Sequence, residues 1–230
     1  MKTRVWLKFF DKPRLEKPLA IVGSPGLRSV GKLALKYLVK EVKAKRFAEL
    51  YSSSFPILYD TKPSYATMPG FPGIAGVKVK NGGAFIPRVR FYFSVSPELI
   101  MVRGYHANFE GQYEVAEKVV EVLEEFKVKR MFVLAGYGWD GPQVCCAASN
   151  HQLIEEMKKF GLTTGYVGPF MGFSGLVFGL GVLKNIEGIC LFGKTQPHPE
   201  KPEFPDPEAG KNVFRKLREI LSLNNGNRFS

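Results

Sequence analysis

The sequence predicts a single α/β domain, and three observations carry that reading. Short apolar runs of strand length alternate with amphipathic stretches of helical period along most of the 230 residues. Residues 19–39 read as a buried strand, a glycine-rich turn and a helix, the first half of a βαβ unit. Residues 111–136 repeat the theme, a long helix leading into a second buried strand. A chain of this length closes one substantial core without needing a second domain. The expected organisation is one α/β domain over 1–222, with a proline-rich connector at 194–207 before its last helix, and a mobile tail at 223–230.

Taken in order, residues 5–10 alternate imperfectly and predict a first strand, turned by Lys12-Pro13-Arg14. Residues 19–22 are continuously apolar, as a strand covered on both faces is. Gly23, Pro25 and Gly26 break that run, and Val30, Leu33, Ala34, Tyr37 and Leu38 then form one apolar helix face ending near Lys43. A third strand is expected over 48–53. Residues 55–76 are rich in proline, glycine, aromatic rings and methionine, without a regular period. Such a connection either meets another protein or folds over its own core, and both readings stand. Asn81-Gly82 between short runs predicts a hairpin, because both turn positions need positive φ. Strands follow at 88–93 and 99–102, then a helix over 111–126 with Val115, Val119, Val122, Leu123 and Phe126 inward, and a strand at 130–136. Ser149 opens a capping box for a helix to about Phe160.

Residues 165–183 carry no charge, which invites a membrane-spanning reading. Their six glycines and Pro169 favour a short strand at 165–167, a turn, and a tightly packed helix from about Ser174, with Gly175 and Gly179 allowing close approach. Residues 189–192 give the last core strand. Asp206 caps and Pro207 starts a final helix whose docking face is Val213, Leu217, Ile220 and Leu221.

Lys and Arg outnumber Asp and Glu by 33 to 21, a net charge of +12. The basic residues are spread along the chain and no nucleic-acid motif accompanies them, so they read as solvated faces and loop ends, with an acidic protein surface as a further possible partner. Basic residues from Lys2 to Arg14 interrupt any N-terminal signal pattern, and three Cys make no disulfide framework. A reduced, cytoplasmic protein is expected, with no membrane contact.

Three patterns invite chemistry. Gly26-x-x-x-x-Gly31-Lys32 has phosphate-loop spacing, but Leu33 stands where a hydroxyl would hold Mg²⁺. The alternative reading is that these glycines simply permit a sharp turn and close helix–strand contact. Gly136-x-Gly138-x-x-Gly141 matches a dinucleotide fingerprint, yet Pro142 follows at once. Cys145 and Cys146 precede a helix, where a thiolate nucleophile is conceivable, against a plain reading as small buried residues. His106, His151 and His198 lack metal-ligand spacing, and no metal or cofactor is expected.

Gly23-Ser24-Pro25-Gly26-x-x-x-Val30-Gly31 ahead of an Ala/Leu helix, followed later by the glycine-rich turn and helix at 168–181, a strand and a closing helix, resembles the archaeal relatives of proteasome assembly chaperone 2 over roughly residues 15–222. The resemblance implies a three-layer α/β/α sandwich on a central mixed sheet, like that of nucleoside phosphorylases and peptidyl hydrolases, without a catalytic centre. It also implies homo-oligomers and a binding or assembly role toward proteasome α subunits or a paralogous assembly chaperone. Some members dock through a C-terminal hydrophobic-Tyr-any tail. Here Arg228-Phe229-Ser230 keeps an aromatic ring but neither the hydroxyl nor the preceding apolar residue. The interaction residues expected are Phe55, Tyr59, Met68 and Phe71 in the long connection, and Arg228, Phe229 and Ser230. The competing expectation is a phosphate- or nucleoside-handling enzyme using Gly26, Gly31 and Lys32.

Overall fold

A computed structural model describes residues 3–55, 77–106, 109–166, 168–196 and 204–223. Ten strands are formed by the described residues: β1 (Val5–Phe9), β2 (Leu19–Gly23), β3 (Lys45–Ser52), β4 (Lys78–Lys80), β5 (Gly83–Phe85), β6 (Val89–Val95), β7 (Glu98–Arg103), β8 (Arg130–Tyr137), β9 (Val144–Ala148) and β10 (Glu187–Lys194). Their helices are α1 (Val30–Glu41), α2 (Gln112–Glu125), α3 (His151–Lys158), α4 (Gly172–Leu183) and α5 (Pro207–Ile220).

Eight strands make one mixed sheet in the order β1-β3-β6-β7-β2-β8-β10-β9, and β4 with β5 makes a separate hairpin. β7, β2, β8 and β10 run parallel at its centre. Antiparallel pairing extends it on both sides, through β6, β3 and β1 and through β9. The period-two alternation of the central strands divides the core. Ala20, Val22, Met131, Val133, Cys190 and Phe192 face the layer built from α2 and α4, whose Val119, Leu123, Phe173 and Val177 meet them. Ile21, Phe132, Leu134, Ile189 and Leu191 face the layer of α1, α3 and α5, meeting Ala34, Leu38, Leu153 and Val213. The result is a three-layer α/β/α fold, as expected.

Asn81 (φ 49°) and Gly82 (φ 73°) both adopt positive φ in the hairpin turn, which is why that dipeptide was readable. The Asp206 carboxylate accepts from the amides of Glu208 and Ala209 and caps α5, with Pro207 in the first turn.

Several details differ from the sequence expectation. Cys145 and Cys146 lie inside an edge strand, β9, rather than in a helix lead-in. The α3 cap is Asn150, whose side chain accepts from Leu153. Ser149 is otherwise engaged, its hydroxyl accepting from the Gly188 amide of β10. Gly165 and Tyr166 form no strand; one bridge joins Thr164 to Cys146, and the Tyr166 ring stacks on Phe192 instead. Val167 lies outside the described residues. On α4, Gly175 fits against the Phe170 carbonyl of the chain leading into its own helix and Gly179 faces open space, so neither makes the expected approach to a neighbouring element; Gly181 makes it, against Met131. At twelve residues α4 is short, and no helix among the described residues is long and apolar enough to cross a membrane.

Candidate functional site

The turn after β2 carries the phosphate-loop spacing; Gly23, Gly31 and Leu33 are engaged in packing, while Gly26 faces open space. Gly26 is extended, a 3₁₀ turn spans Leu27–Ser29, and Arg28 (φ 45°) and Ser29 (φ 56°) are left-handed. A Cβ on Gly31 would fall inside the Leu134 carbonyl of β8, and one on Gly23 would lie 2.5 Å from the Gly31 carbonyl. These two glycines let α1 lie directly on the sheet. Leu33 occupies the position of the missing metal-holding hydroxyl, and its Cβ faces Gly210 of α5, where an added Cβ would sit 2.7 Å away.

Arg28 does not line the cleft beside the turn. Its guanidinium donates to the carbonyls of Phe204 and Gln196, each at 2.8 Å, and pairs with Asp206 at 3.4 Å. The Asp206 amide donates back to the Arg28 carbonyl. Burial pushes the Asp206 carboxyl up. Hydrogen bonds from Thr195, Ala209 and Glu208, together with the Arg28 charge, outweigh that and hold it below its ordinary value. The turn is thus bolted to the cap of the last helix.

Between this turn and the one following β8 lies a cleft of about 300 Å³, closed on its third side by Tyr166, Pro169, Phe170, Met171, Phe173 and Ser174. Gly136 to Trp139 of the Gly136–Gly141 pattern form one of its lips, and no helix starts there. The Ser24 and Ser174 hydroxyls meet at 2.7 Å at its base and join β2 to α4. Tyr166, Phe170 and Phe192 form one wall, with ring centroids 4.7–5.0 Å apart in the Tyr166–Phe192 and Phe170–Phe192 pairs. Trp139 (58% exposed) and Met171 (78% exposed) stand at the rim.

Cys145, Cys146 and Cys190 are buried and free of disulfides. Burial raises all three thiols, Cys146 to about 11, so they are held protonated near neutral pH and the nucleophile reading does not apply. His151 is exposed and lies 3.3 Å from Glu155 one turn on. His198 lies outside the described residues.

The interaction residues divide sharply. Phe55 is 3% exposed and packs edge-on against Phe109 and tilted against Tyr105, so it belongs to this chain's own core and is no contact surface. Tyr59, Met68, Phe71, Arg228, Phe229 and Ser230 lie outside the described residues.

A surface that sequence reasoning missed lies on β1, β3 and β6. Val5, Leu7 and Phe9 point into the core beneath α2, so Trp6 and Lys8 point to the opposite face. No helix among the described residues covers them there, and Trp6 remains 48% exposed while stacking on its register partner Tyr51 at 5.8 Å. Lys8, Glu49 and Arg90 stand in register across the three strands. Glu49 is only 2% exposed. It accepts from Arg46 (2.7 Å), Arg88 (2.9 Å) and the Tyr51 hydroxyl (2.5 Å), and Arg90 lies 3.7 Å away. Burial pushes its carboxyl up, but those hydrogen bonds and the charges of Arg88 and Arg46 win and lower it. One carboxylate among Lys8, Arg46, Arg88 and Arg90 leaves the face aromatic and net positive. The alternation of residues 5–10 was its only sequence signal, and the absence of a covering helix was not readable.

The chain is 30% identical over 227 residues to an uncharacterised protein of Methanocaldococcus jannaschii, covering 94% of this chain and 78% of that one. It is similar to Pyrococcus furiosus PbaB, described as an archaeal proteasome activator, with TM-score 0.77 and 27% identity over 95% of this chain and 89% of that one. Pyrococcus furiosus PbaA, described as an archaeal homologue of proteasome-assembly chaperone, shares the fold with TM-score 0.71 at 23% identity, over 97% and 88% of the two chains. The sequence model of the PAC2 family matches residues 20–226.

Proposed function

The chain belongs to the PAC2 family, and from that premise we propose that it is a non-enzymatic, proteasome-assembly-chaperone-like adaptor of the cytoplasm, acting through protein–protein contacts as a homo-oligomer. Its partners are proteasome α subunits or a paralogous assembly chaperone. The observation that carries this reading is the 27% identity, nearly end to end, to a protein described as a proteasome activator. The structure supplies a supporting surface, an aromatic, basic sheet face that suits an acidic protein surface by charge complementarity, and Gly23 and Gly31 are engaged in joining α1 to the sheet. The remaining contacts are assigned to Tyr59, Met68 and Phe71 of the long connection and to the end Arg228-Phe229-Ser230.

The competing phosphate-handling reading is disfavoured by Leu33, which packs against α5 where a metal-holding hydroxyl would stand. The test is native mass spectrometry of the chain alone and mixed with proteasome α subunits or with a paralogous chaperone. A multimer that gains the mass of one of these partners is expected. A strict monomer that captures neither overturns the reading. Removal of residues 228–230 then separates tail docking from face docking, because only the former disappears with the tail.

A further inference from the structure

The cleft between the β2 and β8 turns is not required by an adaptor that works through its outer surfaces. From β2 the chain leaves through α1 toward β3 on one side of the sheet; from β8 it leaves toward β9 and β10 on the other. Two adjacent parallel strands whose connections part in opposite directions open a crevice beyond their carboxyl ends. That crevice is where open α/β sheets take small ligands, because no backbone crosses it and the turns on both lips present main-chain groups. The cleft found here occupies that position, between Ser24 to Leu27 and Gly136 to Trp139.

Its lining states what it can hold. Among the described residues, no Asp, Glu, Lys, Arg or His contributes to it. A charged ligand would give up its hydration without gaining a counter-charge. Tyr166, Phe170 and Phe192 offer ring faces and edges along one wall, and Trp139 extends that wall outward, meeting Tyr166 edge-on at 5.5 Å. The polar complement is small: the paired hydroxyls of Ser24 and Ser174, and main-chain groups of the lips. About 300 Å³ lies at the lower end of small-molecule sites. We propose that the cleft between the β2 and β8 turns is a binding site for an uncharged, planar heteroaromatic small molecule bearing one or two hydrogen-bonding groups. The ring lies against the Tyr166–Phe192 wall, and its polar edge meets the serine pair. No chemical step is assigned to the site.

Gly26 gives a clean way to block it. Its backbone is extended (φ −159°), which any residue adopts, and a Cβ there meets nothing within 4 Å. Gly26→Phe therefore places a ring in the mouth of the cleft without straining the turn. The experiment is a ligand-observed saturation-transfer titration of the full chain with indole and with adenine, using inorganic phosphate, benzoate and cyclohexanol as counter-probes. A saturable signal from indole or adenine is expected, with Kd roughly 0.1–1 mM for so small a ligand. Gly26→Phe should weaken it at least tenfold with the melting temperature unchanged. Trp139→Ala, at an exposed rim position, should weaken it by about two- to tenfold through loss of a ring contact. In a Trp6→Phe background the Trp139 fluorescence should report the same Kd for adenine, which unlike indole does not emit in the tryptophan band.

Absence of saturable binding by both heteroaromatic probes overturns the proposal. So does binding that is unchanged in a folded Gly26→Phe and in Trp139→Ala. Displacement by inorganic phosphate overturns it as well, because the cleft would then be an anion site. Should Gly26→Phe fail to fold, Trp139→Ala and the fluorescence arm decide the outcome alone.

Discussion

Gly26 and Gly31 stand five residues apart in one turn and answer to opposite constraints. Gly31 has no room for a side chain, since its Cα rests against the Leu134 carbonyl, whereas Gly26 faces open space in an extended conformation. Gly31→Ala should therefore lower stability by about 2–3 kcal/mol through overpacking, while Gly26→Ala should stay within about 0.5 kcal/mol. Chemical denaturation of the two variants checks this, and equal losses would show that the turn, not the helix–sheet contact, is what glycine serves. Glu49 gives a second prediction. Its folded pKa lies below the ordinary value of 4.5. The unfolded chain then binds more protons between the two values, so the Glu49 contribution is complete above about pH 5 and is lost as pH falls through the lowered value. Glu49→Gln leaves the buried Arg88 without its counter-charge and should cost about 3 kcal/mol at pH 7. It should also flatten the acid limb of the stability–pH curve, which urea titrations from pH 7 down to pH 3 would read. Neither effect was legible in the sequence. Glycine spacing identified the turn, but which glycine touches a neighbouring strand depends on Leu134, and nothing local marks Glu49, whose burial depends on β1 and β6 lying beside it.

At the scale of elements, local chemistry was readable wherever the signal is contained in a few consecutive residues. Asp206-Pro207 marked the start of α5, and Asn81-Gly82 marked the hairpin. β9 escaped because Val144-Cys145-Cys146-Ala147-Ala148 has no alternation and only one β-branched residue, Val144. It is a strand only because β10 offers it an antiparallel edge. The α3 cap moved from Ser149 to Asn150 for a related reason, since β10 recruits the serine. The cap of α5 also does more than end a helix: Asp206 accepts from two helix amides and from Thr195 while pairing with Arg28 of the first turn. Asp206→Ala should thus exceed the ordinary loss of a cap, about 1 kcal/mol, by roughly another 1 kcal/mol for the freed Arg28 and Thr195 groups. Asp206→Asn keeps the cap acceptor and drops the charge, so it should recover about half of the loss. A melting series of both variants tests the division; identical losses would mean that only the charge matters.

For the molecule as a whole, the α/β class followed from sequence pattern and the three layers from the family resemblance, but the sheet order followed from neither. Period two along β2, β8 and β10 told which residues share a face, and nothing local told that β2 lies between β7 and β8, far from it in the chain. That pairing creates the cleft, and the addition of β6, β3 and β1 beyond β7 creates a sheet wing wider than its covering helices. The net charge of +12 is spread along the sequence, yet folding gathers Lys8, Arg46, Arg88 and Arg90 around a single carboxylate beside Trp6. Charge concentrated this way accelerates encounter with an acidic surface and weakens with salt, because the Debye length falls from about 10 Å at 0.1 M to about 3 Å at 1 M. The desolvated ring of Trp6 would supply residence time, as buried aromatic anchors do. The double variant Trp6→Ala/Lys8→Gln should therefore weaken capture of the proposed partner at least tenfold. Its stability should stay within about 1.5 kcal/mol of the parent, since these side chains give the fold little beyond the Trp6–Tyr51 stack and the approach of Lys8 to the Phe10 ring. Surface plasmon resonance at low and high salt separates the two parts: Lys8→Gln alone should slow association and flatten its salt dependence, and Trp6→Ala alone should speed dissociation. Unchanged rates in both single variants would remove this wing from the interface and leave the long connection and the chain's end to carry it.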